Sequence, residues 1–490
     1  MRFSSFAETT SEAFRNAGEF LTDLATPTVR IGVTGLARAG KTVFITALVH
    51  NLVQGGRLPF FEAAARGRIK RAWLEPQPDD AVARFAYEEH LACLFADPPD
   101  WPQSTRHISE LRVALEYEPT SFIRRALGVR TLHLDIVDYP GEWLLDLPLL
   151  NTSYEAWSAQ ALALARKPSR KSAASDWLAF LGHADPQQPA AEQTALDGAR
   201  LFKAYLAACR GEGNALSTLS PGRFLLPGEL DGTPALTFMP LDLPAGPAGP
   251  PRGSLWAMME RRYVSYRTHV VRPFMRDHFA RLDRQIVLVD VLAALNAGPE
   301  ALADLQRALT EILGCYRAGA NTWATSLFAR RIDRLLFAAT KADHLHHTSH
   351  DRLENVLKAI TSAAMARAQF AGAEVRSLAL AAVRATREAT ARQGRETLPC
   401  IMGVPLPGER LGAQVFDGRQ EIAIFPGDLP EDPAAMLANA AAPAHPAADD
   451  MWFVRFRPVR NDPDAQRAKQ PLPNIRLDRA LEFLVGDRLI

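Results

Sequence analysis

Arg30-Ile31-Gly32-Val33-Thr34-Gly35-Leu36-Ala37-Arg38-Ala39-Gly40-Lys41-Thr42-Val43-Phe44 is the stretch that decides the fold. Val29–Thr34 reads as a short buried strand, and the apolar run that opens with Lys41 reads as a helix through Val53. Between them, Gly35 to Thr42 satisfies GxxxxGK[ST] at every fixed position. A strand, a glycine turn and a helix N-terminus together make a phosphate cradle. Backbone amides of the turn, Arg38, Ala39, Gly40 and Val43 among them, converge on phosphate oxygens at the positive end of the helix. Gly35 and Gly40 allow the close turn, Lys41 sets a cation against the β- and γ-phosphates, and Thr42 offers a hydroxyl to Mg2+.

Two further motifs follow in order. Leu134–Val137 ends in Asp138-Tyr139-Pro140-Gly141, a DxxG. An acid at the end of a buried strand suits Mg2+, directly or through water, and the glycine amide suits a γ-phosphate. Asp135 is the alternative acid, on the opposite pleat face. Downstream, Leu335–Ala338 runs into Thr340-Lys341-Ala342-Asp343, a TKxD variant of NKxD. One carboxylate can accept both the N1–H and the 2-amino group of guanine, a donor pair that adenine lacks, while the Lys341 stem covers the base. A softer element is Ala382-Val383-Arg384, where a backbone amide can meet the guanine oxygen. Thr105, with Ser104 as alternate, is the candidate switch threonine for γ-phosphate and Mg2+. The expected cofactors are GTP or GDP with Mg2+.

Working outward, strands alternate with helices, so we expect an α/β fold with a mostly parallel sheet. An amphipathic helix is expected over residues 1–25. The first part of a P-loop domain spans 26–141, a large helical insertion 142–283, the second part 284–397, and a small β-containing extension with a final helix 398–490. Within the insertion, Leu255–Leu282 reads as one helix. Gln54–Ile108 shows no long strand pattern, Pro426–Asp450 reads as loop, and Trp452–Pro458 reads as a last strand.

Composition excludes several classes. A net charge of +1 gives no electrostatic case for nucleic acid. Cys93, Cys209, Cys315 and Cys400 form no CxxC pair, which speaks against zinc or disulfide frameworks and for a reducing compartment, the cytoplasm. No signal-peptide core or transmembrane segment is readable. His344, His346, His347 and His350 fit no standard metal spacing and read as a solvated helix start.

The order of P-loop, switch threonine, DxxG, TKxD and base loop resembles the Ras-type GTPase series. More narrowly, the chain resembles the YcjX family of bacterial GTPase-like proteins linked to stress responses. The resemblance rests on Arg30–Phe44, on Trp101-Pro102 with Thr105, and on Asp138-Tyr139-Pro140-Gly141-Glu142-Trp143-Leu144. It continues through Thr340-Lys341-Ala342-Asp343 and Pro471–Leu484, and so covers nearly the whole chain. It implies a Ras-like core, guanine-nucleotide binding, and a loose association with an inner-membrane partner protein, hence a peripheral location there.

Glu142 stands where Ras-like enzymes often place a water-orienting glutamine. A carboxylate there either repels the γ-phosphate or accepts a proton from the attacking water. Lys41, Thr105, Gly141 and Glu142 form the expected catalytic set, and Thr42, Thr105 and Asp138 the metal set. Arg38 could also act as a cis cation on transition-state charge. Three functions follow: a slow GTPase acting as a regulatory switch, a binding module that holds GDP or GTP without turnover, and an ATP-using P-loop enzyme.

Overall fold

The strand Thr28–Gly35 (β1) is flanked on both sides by parallel partners. Arg130–Asp138 (β5) pairs with it on one side and Arg284–Val289 (β6) on the other. The computed structural model describes residues 27–36, 38–104, 107–120, 128–211, 215–244, 249–314, 332–393, 396–438, 453–459 and 470–490. The expected helix over 1–25, Thr105 and Cys315 lie outside those residues. Beyond β6 the sheet continues in parallel with Arg334–Ala339 (β7) and Glu374–Ala379 (β8). Beyond β5 it turns antiparallel, through Ser109–Tyr117 (β4) and then Ile69–Glu75 (β2), with the short Ala83–Arg84 (β3) beside β4. The order is therefore β2-β4-β5-β1-β6-β7-β8, a mixed α/β fold with a mostly parallel sheet. β1 connects onward to one side and receives β6 on the other, which is the topological switch point where open α/β sheets bind ligands.

The pleat period explains the layers. Val29, Ile31, Val33, Leu134, Ile136, Ile286 and Leu288 face one core, with the helices Lys41–Val53 (α1) and Leu477–Val485. Val287, Val289, Leu335 and Phe337 face another core on the opposite side, with the helices Pro299–Gly314 and His350–Phe370. Where β1 meets β5, that opposite side is covered by a third core made of the helical segment between β5 and β6. Gly32 is the contact point. A Cβ there would lie 2.4 Å from a Leu282 methyl, so glycine lets Leu282 pack close against the strand.

That segment holds the helices Tyr154–Ala165, Ser175–Leu181, Glu192–Arg210 and Leu255–Tyr266. The helix expected over Leu255–Leu282 breaks into a π turn at Arg267–Val271 and a short helix Arg272–Asp277, just where Pro273 lacks an amide. Three other expectations change. Ile69–Glu75 is a strand whose mixed polar residues lie at the sheet edge. Pro433–Ala438 is a helix inside the expected loop. Phe456 makes only an isolated bridge to Pro405, not a full strand. A hairpin of Arg387–Gln393 and Glu396–Gly403, extended by Ile422–Ile424, packs a small separate core around Phe416 and Phe456.

Candidate nucleotide site

The glycine turn at the end of β1 leads into α1, with Gly40 at φ +83 as its cap. Gly40 takes that left-handed backbone without strain, and no protein atom lies within 4 Å of where a Cβ would be, so the backbone and not crowding favours glycine here. Gly35 is required for a different reason: a Cβ would meet the Leu288 carbonyl of β6 at 2.7 Å. Arg38 also takes φ +63, a conformation that costs a non-glycine residue about 1 kcal/mol or more. Lys41 is buried and its Nζ donates to the Gly35 carbonyl at 2.9 Å, folding over the turn that would cradle phosphate. Thr42 is buried in the first turn of α1, and Val43 is half buried beside it.

Asp138 ends β5 in register with Val33 of β1. It shares pleat parity with Leu134 and Ile136, so it lies on the α1 face, toward Thr42. Asp135 faces away, and both its oxygens are held by Arg112, at 2.6 and 2.8 Å. Asp138 is fully buried. A carboxylate and a hydroxyl are the oxygen donors a hard cation takes, so Asp138 and Thr42 fit Mg2+ by chemistry.

Gly141 packs against the start of the phosphate turn. A Cβ on it would lie 1.9 Å from the Gly35 carbonyl oxygen and 3.1 Å from the Leu36 nitrogen. After Gly141 the chain runs as 3-10 turns through Asn151, with Glu142, Trp143, Leu144, Leu145, Asp146, Leu147 and Leu149 buried. Glu142 is paired with Arg210, the last residue of Glu192–Arg210. Its carbonyl is touched by Gly222, where a Cβ would come within 1.7 Å. Asp146 accepts from the Gly222 amide at 2.7 Å, the Arg223 amide at 3.3 Å and the Tyr266 hydroxyl at 2.6 Å. Burial still pushes its carboxyl up to about 6. Tyr139 reaches under β1 to Gln285 at 3.1 Å and meets Phe274 edge-on. Arg210, Asp146 and Gly222 were missed by motif reading, and Tyr139 was read only as part of the DxxG. A lone acid within the apolar run Trp143–Leu150 is the signal that could have found Asp146.

At the end of β7, Thr340 bonds the Val289 carbonyl of β6 through its amide at 3.0 Å. Lys341 sits at φ +61 and pairs with Asp290. Asp343 is buried; one carboxylate oxygen accepts the Ala385 amide at 2.7 Å, and its carbonyl accepts the Thr386 hydroxyl. The loop expected to meet the base is thus tied directly to the acid expected to read it. Ala382 and Val383 are buried, and the Arg384 amide donates to Pro473 at 2.8 Å, so the C-terminal tail braces this loop. His344 and His350 are buried, not solvated; burial pushes both imidazoles down, and His344 packs edge-on against Phe456. His347 is exposed and bonds Glu388 at 2.8 Å.

A cavity of about 320 Å³ opens beside the phosphate turn; Lys41, Thr42, Asp138, Gly141, Asp343 and residues 382–384 are not among its lining residues. Leu36, Arg38 and Ala39 of the phosphate turn line it with Glu142, Arg210 and Lys341. Three ion pairs edge it: Glu142–Arg210, Asp290–Lys341 and Glu409–Arg455. No helix of the described residues is long and apolar enough to cross a membrane.

Comparison with known proteins agrees in extent with this arrangement. The model of the YcjX-like family, DUF463, matches residues 29–489. A protein named Ras-like GTPase YcjX from Escherichia coli (strain K12) is 39% identical over 470 residues, covering 94% of this chain and 96% of that protein. Another of the same name from Shewanella oneidensis is 34% identical over 481 residues, covering 94% of each. The match runs from β1 to the C-terminal turn, and the chain belongs to the YcjX-like family.

Proposed function

We propose that the chain binds guanine nucleotide in a Ras-like P-loop core and is a slow, Mg2+-dependent GTPase that works as a regulatory switch. The observation that carries this reading is the convergence of three motifs at one end of the sheet. Gly141 of the DxxG lies against Gly35 of the phosphate turn, and Lys341 of the TKxD lines one cavity with Arg38 and Ala39. Two relatives named Ras-like GTPase support it. The stress-linked role and the inner-membrane partner follow the family resemblance.

In this reading the turn amides and Lys41 spread charge off the β- and γ-phosphates. Thr42 and Asp138 would hold Mg2+, and Thr105 would join them in the GTP state; the ion would neutralise phosphate charge. Asp343 accepts from the guanine edge while Ala385 fixes its carboxylate. The Gly141 amide meets the γ-phosphate. Glu142 follows at once, and its carbonyl touches Gly222 of the helical segment. A shift of Gly141 on loss of the γ-phosphate therefore moves Glu142 against Gly222 and Asp146 against Tyr266, which passes the nucleotide state to the helices.

Single-turnover assays with Mg2+ test this. Slow phosphate release from GTP, faster than from ATP and lost in Lys41→Ala, is the expected result. Faster release from ATP overturns it, and tight GDP and GTP binding with no release selects the non-turnover binding module.

A further inference from the structure

We infer that Arg210 is a positioning residue that sets the preference between triphosphate and diphosphate, by neutralising Glu142 beside the γ-phosphate position. The inference rests on the guanine-nucleotide reading above and deepens it. Three observations place the pair. Gly141 touches the first peptide of the phosphate turn, so Glu142 stands one residue from the amide that would meet the γ-phosphate. The Glu142 side chain is buried, and the Arg210 guanidinium lies on its Oε1. Both side chains line the cavity that Leu36, Arg38 and Ala39 also line.

The backbone around Glu142 is held on two sides. Gly141 packs on Gly35, and Gly222 closes on the Glu142 carbonyl. Glu142 can therefore move away from a γ-phosphate only by displacing Gly222 and the helical segment behind it. A second anion in a poorly hydrated site repels the first, and the repulsion falls on the triphosphate far more than on the diphosphate, whose charges stop one group short. Arg210 is the cation that cancels it. Because Arg210 ends the helix Glu192–Arg210, this compensation belongs to the helical segment and not to the sheet. Of the other charged residues lining the cavity, Lys341 pairs with Asp290 and Arg455 with Glu409, while Arg38 belongs to the phosphate turn itself.

With one unit charge several ångströms from the γ-phosphate and an effective dielectric of about 20, the uncompensated carboxylate should cost about ten-fold or more in triphosphate affinity. The test is titration of the nucleotide-free full chain with GDP and with a non-hydrolysable GTP analogue, both with Mg2+. It is run on the natural sequence and on Arg210→Ala, Arg210→Lys, Glu142→Gln and the pair Arg210→Gln with Glu142→Gln. Arg210→Ala is expected to weaken the GTP analogue about ten-fold or more while GDP changes less than about two-fold. Arg210→Lys should recover most of the loss, and Arg210→Gln should cost little once Glu142 is glutamine.

Equal weakening of GDP and the analogue in Arg210→Ala would mean a merely structural bridge and overturn the inference. So would an undiminished loss in the Glu142→Gln background, which would put Arg210 on the phosphate itself. If the natural sequence binds neither guanine nucleotide, the underlying reading fails first, and the inference falls with it. The charge-neutral pair keeps the test decisive should Arg210→Ala not fold.

Discussion

Asp343→Asn turns the base-reading claim into a number. The Asp343 carboxylate is buried, and one oxygen already accepts the Ala385 amide at 2.7 Å. An asparagine keeps its oxygen on that amide, so the fold near the base loop should survive. Its NH2 group then turns toward the base edge. Guanine offers two donors there, N1–H and the 2-amino group. Two hydrogen bonds to a charged acceptor, at about 1.5–3 kcal/mol each, are lost or replaced by donor facing donor. A net loss of about 3–5 kcal/mol is two to three or more decades in affinity, at about 1.4 kcal/mol per decade. Xanthine carries a carbonyl where guanine carries the amino group, and the new NH2 can donate to it. The assay is calorimetric titration with GDP and XDP, alongside the melting temperature of the nucleotide-free chain. The expected result is GDP binding weakened by at least about a hundred-fold, XDP binding gained, and the melting temperature nearly unchanged. GDP affinity held within about three-fold in a folded variant would refute the reasoning. Asp343 would then be only a clamp for Ala385.

Other perturbations follow from the same contacts. Gly141→Ala should drive a methyl into the Gly35 carbonyl and Gly222→Ala into the Glu142 carbonyl, each lowering stability by about 1–3 kcal/mol or more in chemical denaturation. Unchanged midpoints would show that the P-loop, Glu142 and Gly222 are not in hard contact. Arg38→Gly should raise stability of the nucleotide-free chain by about 1 kcal/mol by relieving the left-handed backbone at φ +63; a loss of that size would show that the side chain outweighs the strain. Burial raises the Glu110 carboxyl to about 7, offset in part by Arg30. Its folded value lies above its unfolded one, so the folded chain takes up the proton first, and this group favours folding more as pH falls from about 8 toward 5. The stability difference between the natural chain and Glu110→Gln should therefore move toward the natural chain over that window, by up to about 1 kcal/mol per pH unit. A difference independent of pH would remove Glu110 as the titrating group.

The parts legible in the sequence are those whose chemistry is local. Thr28–Gly35 and Lys41–Val53 carry apolar runs that end at glycine or polar residues, and their bounds lie within about a residue of expectation. The P-loop, the DxxG and the TKxD were legible because each fixes residue types at short spacing. What was not legible depends on contacts between distant segments. Arg210 looks like any basic residue at a helix end until Glu142 is seen beside it. Gly222 looks like a turn glycine in Pro221-Gly222-Arg223, yet it is needed because the Glu142 carbonyl lies against it. The strand Ile69–Glu75 was hidden because an edge strand need not bury one face, so Lys70 and Arg71 break the alternation. His344 and His350 sit in a polar stretch, and only the fold brings Phe456 over one of them.

Selection of guanine by this P-loop site is tested by calorimetric titration of the purified, nucleotide-free chain with GDP, a GTP analogue and an ATP analogue, each with Mg2+. One site per chain should take both guanine nucleotides and bind the ATP analogue more weakly by about a hundred-fold or more. Binding of the ATP analogue as tight as or tighter than the GTP analogue would contradict it, and would make the protein an ATP-using member of the P-loop class.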